Sequence, residues 1–353
     1  MKIAIISLYL PYSSKIGVGY QAHGLANTLA QRGHQVTVIS PCPPPPDARY
    51  EVLRISTGSR LRTFQFAFRL RAFNYHYYDI LHAFTDDYCL KRTSKRYLPF
   101  HLRTLLGSCL SEARYIPGLK EKIRMLLLAF TEQVAVRVAD EAVTISKVTS
   151  KHFGPCRRVV PCGVNTERFH PDGAKSSQPT VLFVGTLGWR KRGWIVLKAF
   201  RDYVQSSYPN AELWMVCEDA VESDKVRVFS RISEEYLAEL YRRAWVLCSA
   251  SSYEGFGVPY IEAMASGTPI ISTPNAGAIK VLQNGRLGWI VKPEALGPAL
   301  VQLLTNDRIR EQMAVLGLQV APQYDWNRIA AIYETIYQAG FEKHAQLHGD
   351  RRP

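Results

Sequence analysis

The chain of 353 residues has only seven cysteines, and no two of them are placed to work together. They stand at 42, 89, 109, 156, 162, 217 and 248, odd in number and without a CxxC pair, which argues against a disulfide framework or a zinc site. No apolar run approaches the ~18 to 20 residues that a membrane-spanning helix needs. The N-terminus, MKIAIISLYLPYSS, has a lysine and an apolar run but lacks a small-x-small cleavage site. Ile3 to Leu10 therefore reads as a first buried strand, and the expected location is cytosolic. An Asp-x-Asp pair that would chelate a divalent ion through oxygen is also missing, since Asp86 and Asp87 are adjacent rather than spaced. Internal repeats and low-complexity tracts are lacking too, apart from the stiff proline run Pro41-Cys-Pro-Pro-Pro-Pro.

Acidic charge is scarce: 30 Asp and Glu stand against 44 Lys and Arg, a net charge of +14. Such a balance favours anionic partners, whether nucleic acid, anionic lipid or phosphorylated substrates. No nucleic-acid fold signature accompanies it. The excess is concentrated in two places. Residues 60 to 73 hold four arginines and four phenylalanines, and Lys120 to Phe130 opens a second basic, apolar helix. Arg and Phe mixed on one helix suit either interfacial membrane binding or a helix whose aromatic face is buried in the core. Both readings stay open from the sequence.

At this length the prior is two domains, with chain enough to bury substantial cores. Strand and helix patterns alternate along the chain. A strand is expected over residues 2 to 10, an amphipathic helix over 20 to 32 ending at Gly33, and a strand from Val36 to Ser40. Further strands are expected at Tyr78 to Phe84 and Glu141 to Ser146. After a turn-rich linker, a second strand–helix series starts at Val181-Leu-Phe-Val-Gly. Strand, crossover helix and strand in series imply two Rossmann-like, doubly wound parallel-sheet domains, 1–168 and 169–325. Such sheets bind ligands at their carboxyl edges.

The most informative segment is EGFGVPYIEAMASGTPIISTPNAG, residues 254 to 277. Pro259 stands where a helix would begin and Gly267 where it would stop, giving loop, short helix, turn and the strand Pro-Ile-Ile-Ser-Thr. Helix N-termini bind anions, so the Gly257 and Val258 amides form a diphosphate site, with Gly255 and Phe256 in the same loop. Glu254 lies just before that site and Glu262 on the helix behind it. A phosphate cradle flanked by two hydroxyl-binding carboxylates suits a nucleotide-activated sugar.

This segment resembles the E-x7-E motif of retaining glycosyltransferase family 4, whose fold is the two-domain GT-B arrangement. The resemblance implies that Glu254 contacts the donor sugar and Glu262 the nucleotide ribose. Ser14-Lys-Ile-Gly-Val-Gly-Tyr is similar to the family's glycine-rich loop after the first strand, so Gly17 and Gly19 would let the backbone approach the donor phosphates or the acceptor. Gly33-His34-Gln-Val matches its usual rGHxV, and Val159 to Phe169 its interdomain PNGVDxxxF, with Cys162 in place of Asn. In Trp189-Arg-Lys-Arg-Gly193 the family has a cation that neutralises the leaving diphosphate; Arg192 is the first choice, Lys191 the second. His82 matches the family's D-x-x-H strand end. A C-terminal helix of about 326–345 is expected to pack back on the first domain, as in relatives.

The pattern is not complete. Thr186 stands where the family has a phosphate-binding arginine, and Arg190 is a candidate substitute. Cys217-Glu-Asp-Ala220 replaces a GdGp loop, and Leu106 stands in place of a histidine. The expectation is a metal-independent, retaining glycosyltransferase without a cofactor. It would move a hexose-type sugar from a nucleotide-diphosphate donor in the C-terminal domain to a glycan, lipid-linked or small-molecule acceptor in the N-terminal domain. A peripheral position on an anionic membrane is a further expectation. The rival readings are a weakened or non-catalytic nucleotide-sugar-binding protein and another GT-B enzyme, such as an epimerase.

Overall fold

A computed structural model describes residues 1–11, 17–58, 61–90, 98–154, 156, 158–219, 221 and 223–348. Ser14, Lys15, Ile16, Arg60 and Ala220 of the segments singled out above lie outside the described residues. The chain divides into two compact units. One comprises Met1–Ala113, Leu119–Gly163 and Trp326–Pro353; the other comprises Arg114–Gly118 and Val164–Asp325. The main change of unit falls after Gly163, five residues before the expected division at 168.

The first unit carries a parallel sheet of β1 (Lys2–Ile6), β2 (Gln35–Ser40), β3 (Glu51–Arg54), β4 (Ile80–Ala83), β5 (Phe100–Leu105), β6 (Glu141–Thr144) and β7 (Arg158–Val159). Their spatial order is β3-β2-β1-β4-β5-β6-β7. The strands run as continuous apolar stretches because both faces are covered, as parallel sheets require. Ile3 and Ile5 face one core, shared with Leu25 and Leu29 of the Gly17–Gln31 helix and with Ile329 and Tyr333 of the Trp326–His348 helix. Ala4 and Ile6 face the other core, with Phe66 and Leu70 of the Arg62–Leu70 helix.

The second unit repeats the plan with β8 (Thr180–Val184), β9 (Glu212–Val216), β10 (Val226–Phe229), β11 (Val246–Ser249), β12 (Ile270–Ser272) and β13 (Trp289–Ile290). The order is β10-β9-β8-β11-β12-β13, again all parallel. The chain reverses its direction of growth between β8 and β11, which makes that edge the switch point where doubly wound sheets take ligands.

Three expectations shift. The first strand stops at Ile6, although Leu8 and Leu10 stay buried, because Leu8 N–H turns to donate to Thr85 Oγ1 at 2.7 Å. The first helix begins at Gly17 rather than at residue 20, so Gly17 and Gly19 occupy a helical turn. The Arg62–Leu70 helix divides its aromatics, with Phe66 in the core and Phe68 exposed at its surface.

The Trp326 ring keys the start of the C-terminal helix into the first unit. A Cβ built on Gly24 would lie 2.4 Å from the Trp326 indole, and one on Gly163 would lie equally close. Gly24→Ala should therefore overpack this contact and destabilise the fold by roughly 1 to 3 kcal/mol. Urea unfolding followed by circular dichroism should show a lower midpoint, partly restored by adding Trp326→Leu. An unchanged midpoint for Gly24→Ala would show that the contact is slack.

Candidate active site

Three loops leave the carboxyl edge of the second unit's sheet side by side, after β8, β11 and β12. The β8 loop ends in the turn Trp189–Lys191 and Arg192, then enters the helix Gly193–Ala199. The β11 loop runs through Ser251 and Glu254 to Gly257, which caps the helix Val258–Ala265. Pro259 lies in that helix's first turn, as its missing N–H and fixed φ favour. The β12 loop ends at Asn275, whose Oδ1 accepts from Ala278 N–H at 2.9 Å and starts the helix Ala276–Val281.

Glu254 is the centre of this edge and is only 6 % exposed. Its Oε1 accepts from Lys191 Nζ at 2.6 Å and from Ser251 Oγ at 2.7 Å. Its Oε2 accepts from Arg190 Nη1 at 3.0 Å, and the same nitrogen donates to the Tyr253 carbonyl at 3.2 Å. Burial alone would raise this carboxyl's pKa. The Lys191 and Arg190 charges, with hydrogen bonds from Lys191 and Ser251, outweigh burial and hold it below the usual carboxylate range.

Glu262 stands on the helix behind, with Oε2 accepting from the Tyr241 hydroxyl at 2.8 Å. Burial pushes its carboxyl up to about 7, against the opposing effects of the Tyr241 hydrogen bond and the Lys191 charge. Lys191 thus acts on both carboxylates of the E-x7-E segment. Gly257 holds φ +99°, and a Cβ there would sit 2.4 Å from the Tyr260 ring, so this cap requires glycine. Among the described residues the Gly257 and Val258 amides donate to no protein acceptor outside the helix. Phe256 is buried edge-on against Tyr324, with 5.7 Å between ring centroids, so its side chain serves packing.

The cations are distributed differently from the expectation. Arg192 sits in a left-handed conformation, φ 47°. Its Nε donates to the Ala250 carbonyl at 2.7 Å and its Nη2 to Thr273 Oγ1 at 3.1 Å, so it braces the ends of β11 and β12. Lys191 and Arg190 are the cations that reach Glu254. Thr186 accepts from Gly193 N–H through its carbonyl at 3.2 Å and shapes the loop.

His82, expected at the donor, is instead a core residue of the first unit. It has no exposed surface, and its ring nitrogens are 2.6 Å from the Tyr337 hydroxyl and 2.7 Å from Thr104 Oγ1. Burial lowers its pKa to about 3, so it is neutral. Gly17 has open space at its Cβ position, whereas a Cβ built on Gly19 would lie 3.0 Å from the Tyr9 carbonyl. Both belong to the first unit.

Sequence reasoning missed Ser251, Tyr241, Asn275 and Gly277. Asn275 Nδ2 ties the loops together by donating to the Ser251 and Thr273 carbonyls at 3.2 and 3.0 Å. A Cβ on Gly277 would lie 2.5 Å from the Phe256 carbonyl and 2.8 Å from Glu254 Cβ, so the third loop rests directly on the second. The Asn-Ala-Gly run before an apolar stretch signalled a capped helix; nothing in it signalled contact with Glu254. Among the described residues, no group of three or more His, Cys, Asp or Glu side chains could hold a metal ion.

Comparison with known proteins bears on this edge and on the whole chain. Residues 16–168 match the family described as Glycosyltransferase Family 4, and residues 165–316 match Glycosyl transferases group 1. The chain is 26% identical to a phosphatidyl-myo-inositol mannosyltransferase of Mycobacterium leprae, over 95% of this chain and 98% of that protein. It is 25% identical to a GDP-mannose:cellobiosyl-diphosphopolyprenol alpha-mannosyltransferase of Komagataeibacter xylinus, over 74% and 71% of the two chains. Among solved structures, a sucrose-phosphate synthase from Thermosynechococcus elongatus superimposes with a TM-score of 0.79 at 22% identity, covering 97% of this chain and 99% of that one. Two parallel Rossmann-like sheets, the two family matches that between them run from residue 16 to residue 316 and the near full-length relative converge: the chain is a GT-B-fold glycosyltransferase belonging to glycosyltransferase family 4.

Proposed function

We propose that the enzyme transfers a hexosyl group, mannosyl by preference, from a nucleotide-diphosphate donor with retention of configuration. The observation that carries this reading is the buried Glu254 carboxylate held by Lys191 and Arg190. A glycosyl diphosphate loses its sugar by breaking the C1–O bond, and the electron pair leaves on the diphosphate. Preorganised cations and amides are effective at that point, because the charge develops where they already stand. Lys191, Arg190 and the Gly257 and Val258 amides supply them, with no metal required. The acceptor oxygen attacks C1 on the face the diphosphate leaves, and its proton passes to the leaving phosphate oxygen. Glu254 orients the sugar and steadies positive charge at C1. Glu262 takes the ribose hydroxyls, and Arg192 positions the loops. The mannosyl preference follows the names of the two relatives above.

Two features of the first unit favour an acceptor presented at an anionic membrane surface. Along the Leu119–Val138 helix, Leu119, Ile123, Leu126, Leu127 and Phe130 form one exposed apolar face beside Lys120, Lys122 and Arg124. On the Arg62–Leu70 helix, exposed Phe64 and Phe68 stand beside Arg62 and Arg69. Basic, apolar helices of this kind lie in a lipid interface. No helix among the described residues is long and apolar enough to cross a membrane.

Glu254→Gln should reduce transfer from GDP-mannose to near background. It should also lower stability, because removing one partner of a buried ion pair costs roughly 3 to 5 kcal/mol; activity is therefore to be read well below the variant's melting point. Glu262→Ala should weaken nucleotide binding while leaving more of kcat. Full activity in Glu254→Gln would remove the assignment.

For the cations, Lys191→Ala should lower kcat more than donor affinity, since the diphosphate charge is greatest in the transition state. Arg192→Ala should act mainly through stability. A larger kcat loss in Arg192→Ala than in Lys191→Ala would reverse these roles.

Co-sedimentation with vesicles tests the surface. Each Lys or Arg near an anionic membrane contributes about 1 kcal/mol, so binding to phosphatidylserine vesicles should be strong at low salt and released at high salt. Leu127→Glu with Phe130→Glu should abolish it. Equal binding by this double variant, or none by the natural chain, would contradict the reading.

A further inference from the structure

The helix that carries Glu262, Val258–Ala265, is joined to the helix Glu234–Arg243 through Tyr241. The Tyr241 ring has no exposed surface and packs edge-on against Phe169, with 5.7 Å between centroids. A tyrosine hydroxyl taken out of water needs a partner, and this one has Glu262 Oε2 at 2.8 Å. The Tyr241 carbonyl is held as well, by Thr268 Oγ1 at 2.5 Å. Thr268 N–H donates in turn to the Ala263 carbonyl at 2.8 Å, one residue after Glu262. Side chain and backbone of Tyr241 are thus both tied to the segment that carries Glu262. The two helices cannot slide past one another without breaking one of these bonds.

One ammonium group joins the same two helices at their C-terminal ends. Lys175 Nζ donates to the Ala244 carbonyl at 2.9 Å, to the Gly267 carbonyl at 3.3 Å and to Thr268 Oγ1 at 3.3 Å. Ala244 caps the Tyr241 helix, and Gly267 lies just past the Glu262 helix. A helix C-terminus leaves carbonyls unsatisfied and carries partial negative charge, so a cation there is favourable. Here one cation serves two termini. The backbone beside Lys175 is fixed to the same place: Ser176 N–H donates to the Arg243 carbonyl and Trp245 Nε1–H to the Ser176 carbonyl, each at 2.8 Å.

A glutamate side chain has several rotatable bonds, and freezing them when a ligand binds lowers affinity. With Oε2 held by the Tyr241 hydroxyl, that cost falls on the fold instead of on the ligand. Among the described residues Oε1 of Glu262 accepts from no protein donor, and the side chain is half-buried rather than covered. Ribose hydroxyls can donate, and an ionised carboxylate only accepts. Oε1 is therefore the atom left for them.

We infer that Tyr241 is a positioning residue for nucleotide recognition: its hydroxyl fixes Glu262 so that Oε1 is presented to the ribose hydroxyls. Lys175, with Thr268, keeps the two helices in register for that contact. Both roles rest on Glu262 taking the ribose, and they make the site selective for a nucleotide whose ribose hydroxyls are intact.

Isothermal titration calorimetry of the full chain with GDP and with 2′,3′-dideoxy-GDP tests this, because a change confined to packing weakens both nucleotides alike. The natural chain should bind GDP at least about tenfold more tightly than the dideoxy compound, the loss of hydrogen bonds to a charged group. Glu262→Ala should remove that preference. Tyr241→Phe should bring the two affinities within about threefold of each other, chiefly by weakening GDP, and Lys175→Met should reduce the ratio at least about threefold. Lys175 is exposed along its stem, so Lys175→Met carries the test if Tyr241→Phe fails to fold. No binding of GDP, no preference for it in the natural chain, or a preference that survives Glu262→Ala would sink the ribose role of Glu262 and the inference with it. A preference lost in Glu262→Ala but undiminished in Tyr241→Phe would overturn the inference alone, as would equal weakening of both nucleotides in that variant. If Lys175→Met is the variant that folds, the same two results in it overturn the inference. A ratio that falls in Tyr241→Phe and not in Lys175→Met would remove Lys175 and keep Tyr241.

Discussion

A carboxylate taken out of water costs several kcal/mol unless charge and hydrogen bonds replace the water. Glu254 meets that condition through Lys191, Arg190 and Ser251, and the edge of the second unit is arranged around it. The β8 loop must bring two cations to one carboxylate, so it tightens into the turn Trp189–Lys191 and is fixed by Arg192 to the ends of β11 and β12. The β12 loop must come close enough to hold Ser251, so position 277 has no side chain and Asn275 reaches back. Gly257 must turn sharply to begin the helix that carries Glu262. Each constraint follows from keeping one charge buried and paired.

The same cluster holds its two cations close together. Two cations side by side would repel one another, and Glu254 supplies the compensating charge. When a diphosphate arrives, the proposed chemistry has Lys191 share its charge between the phosphate and the carboxylate. The Lys191 charge also lies close enough to favour the ionised form of Glu262.

Much of this was legible in the sequence, because the parts that showed were local. Apolar stretches with intervening helical patterns gave parallel sheets, and Pro259 and Gly267 bounded a helix observed at Val258–Ala265. The Glu254 and Glu262 spacing drew attention to two carboxylates, and the structure places both near Lys191. What did not show depends on contacts between distant segments. Which of three successive cations reaches Glu254 is decided by the left-handed turn at Arg192, and the spacing of Trp189-Arg-Lys-Arg is silent on it. His82 looked like a site residue by its place at a strand end, but Tyr337, 255 residues away, closes over it. Gly277 and Asn275 matter for their contact with the Glu254 loop, which no local pattern encodes.

The most direct test of the Glu254–Lys191–Arg190 cluster as a diphosphate site compares stabilisation by GDP and by GMP, in the natural chain and in Lys191→Met. A ligand at 100 times its dissociation constant raises stability by ~2.7 kcal/mol, which is easily read as a melting shift. The account predicts a clearly larger shift with GDP than with GMP in the natural chain, and shifts that become nearly equal in Lys191→Met. A GDP advantage that survives Lys191→Met undiminished would contradict it.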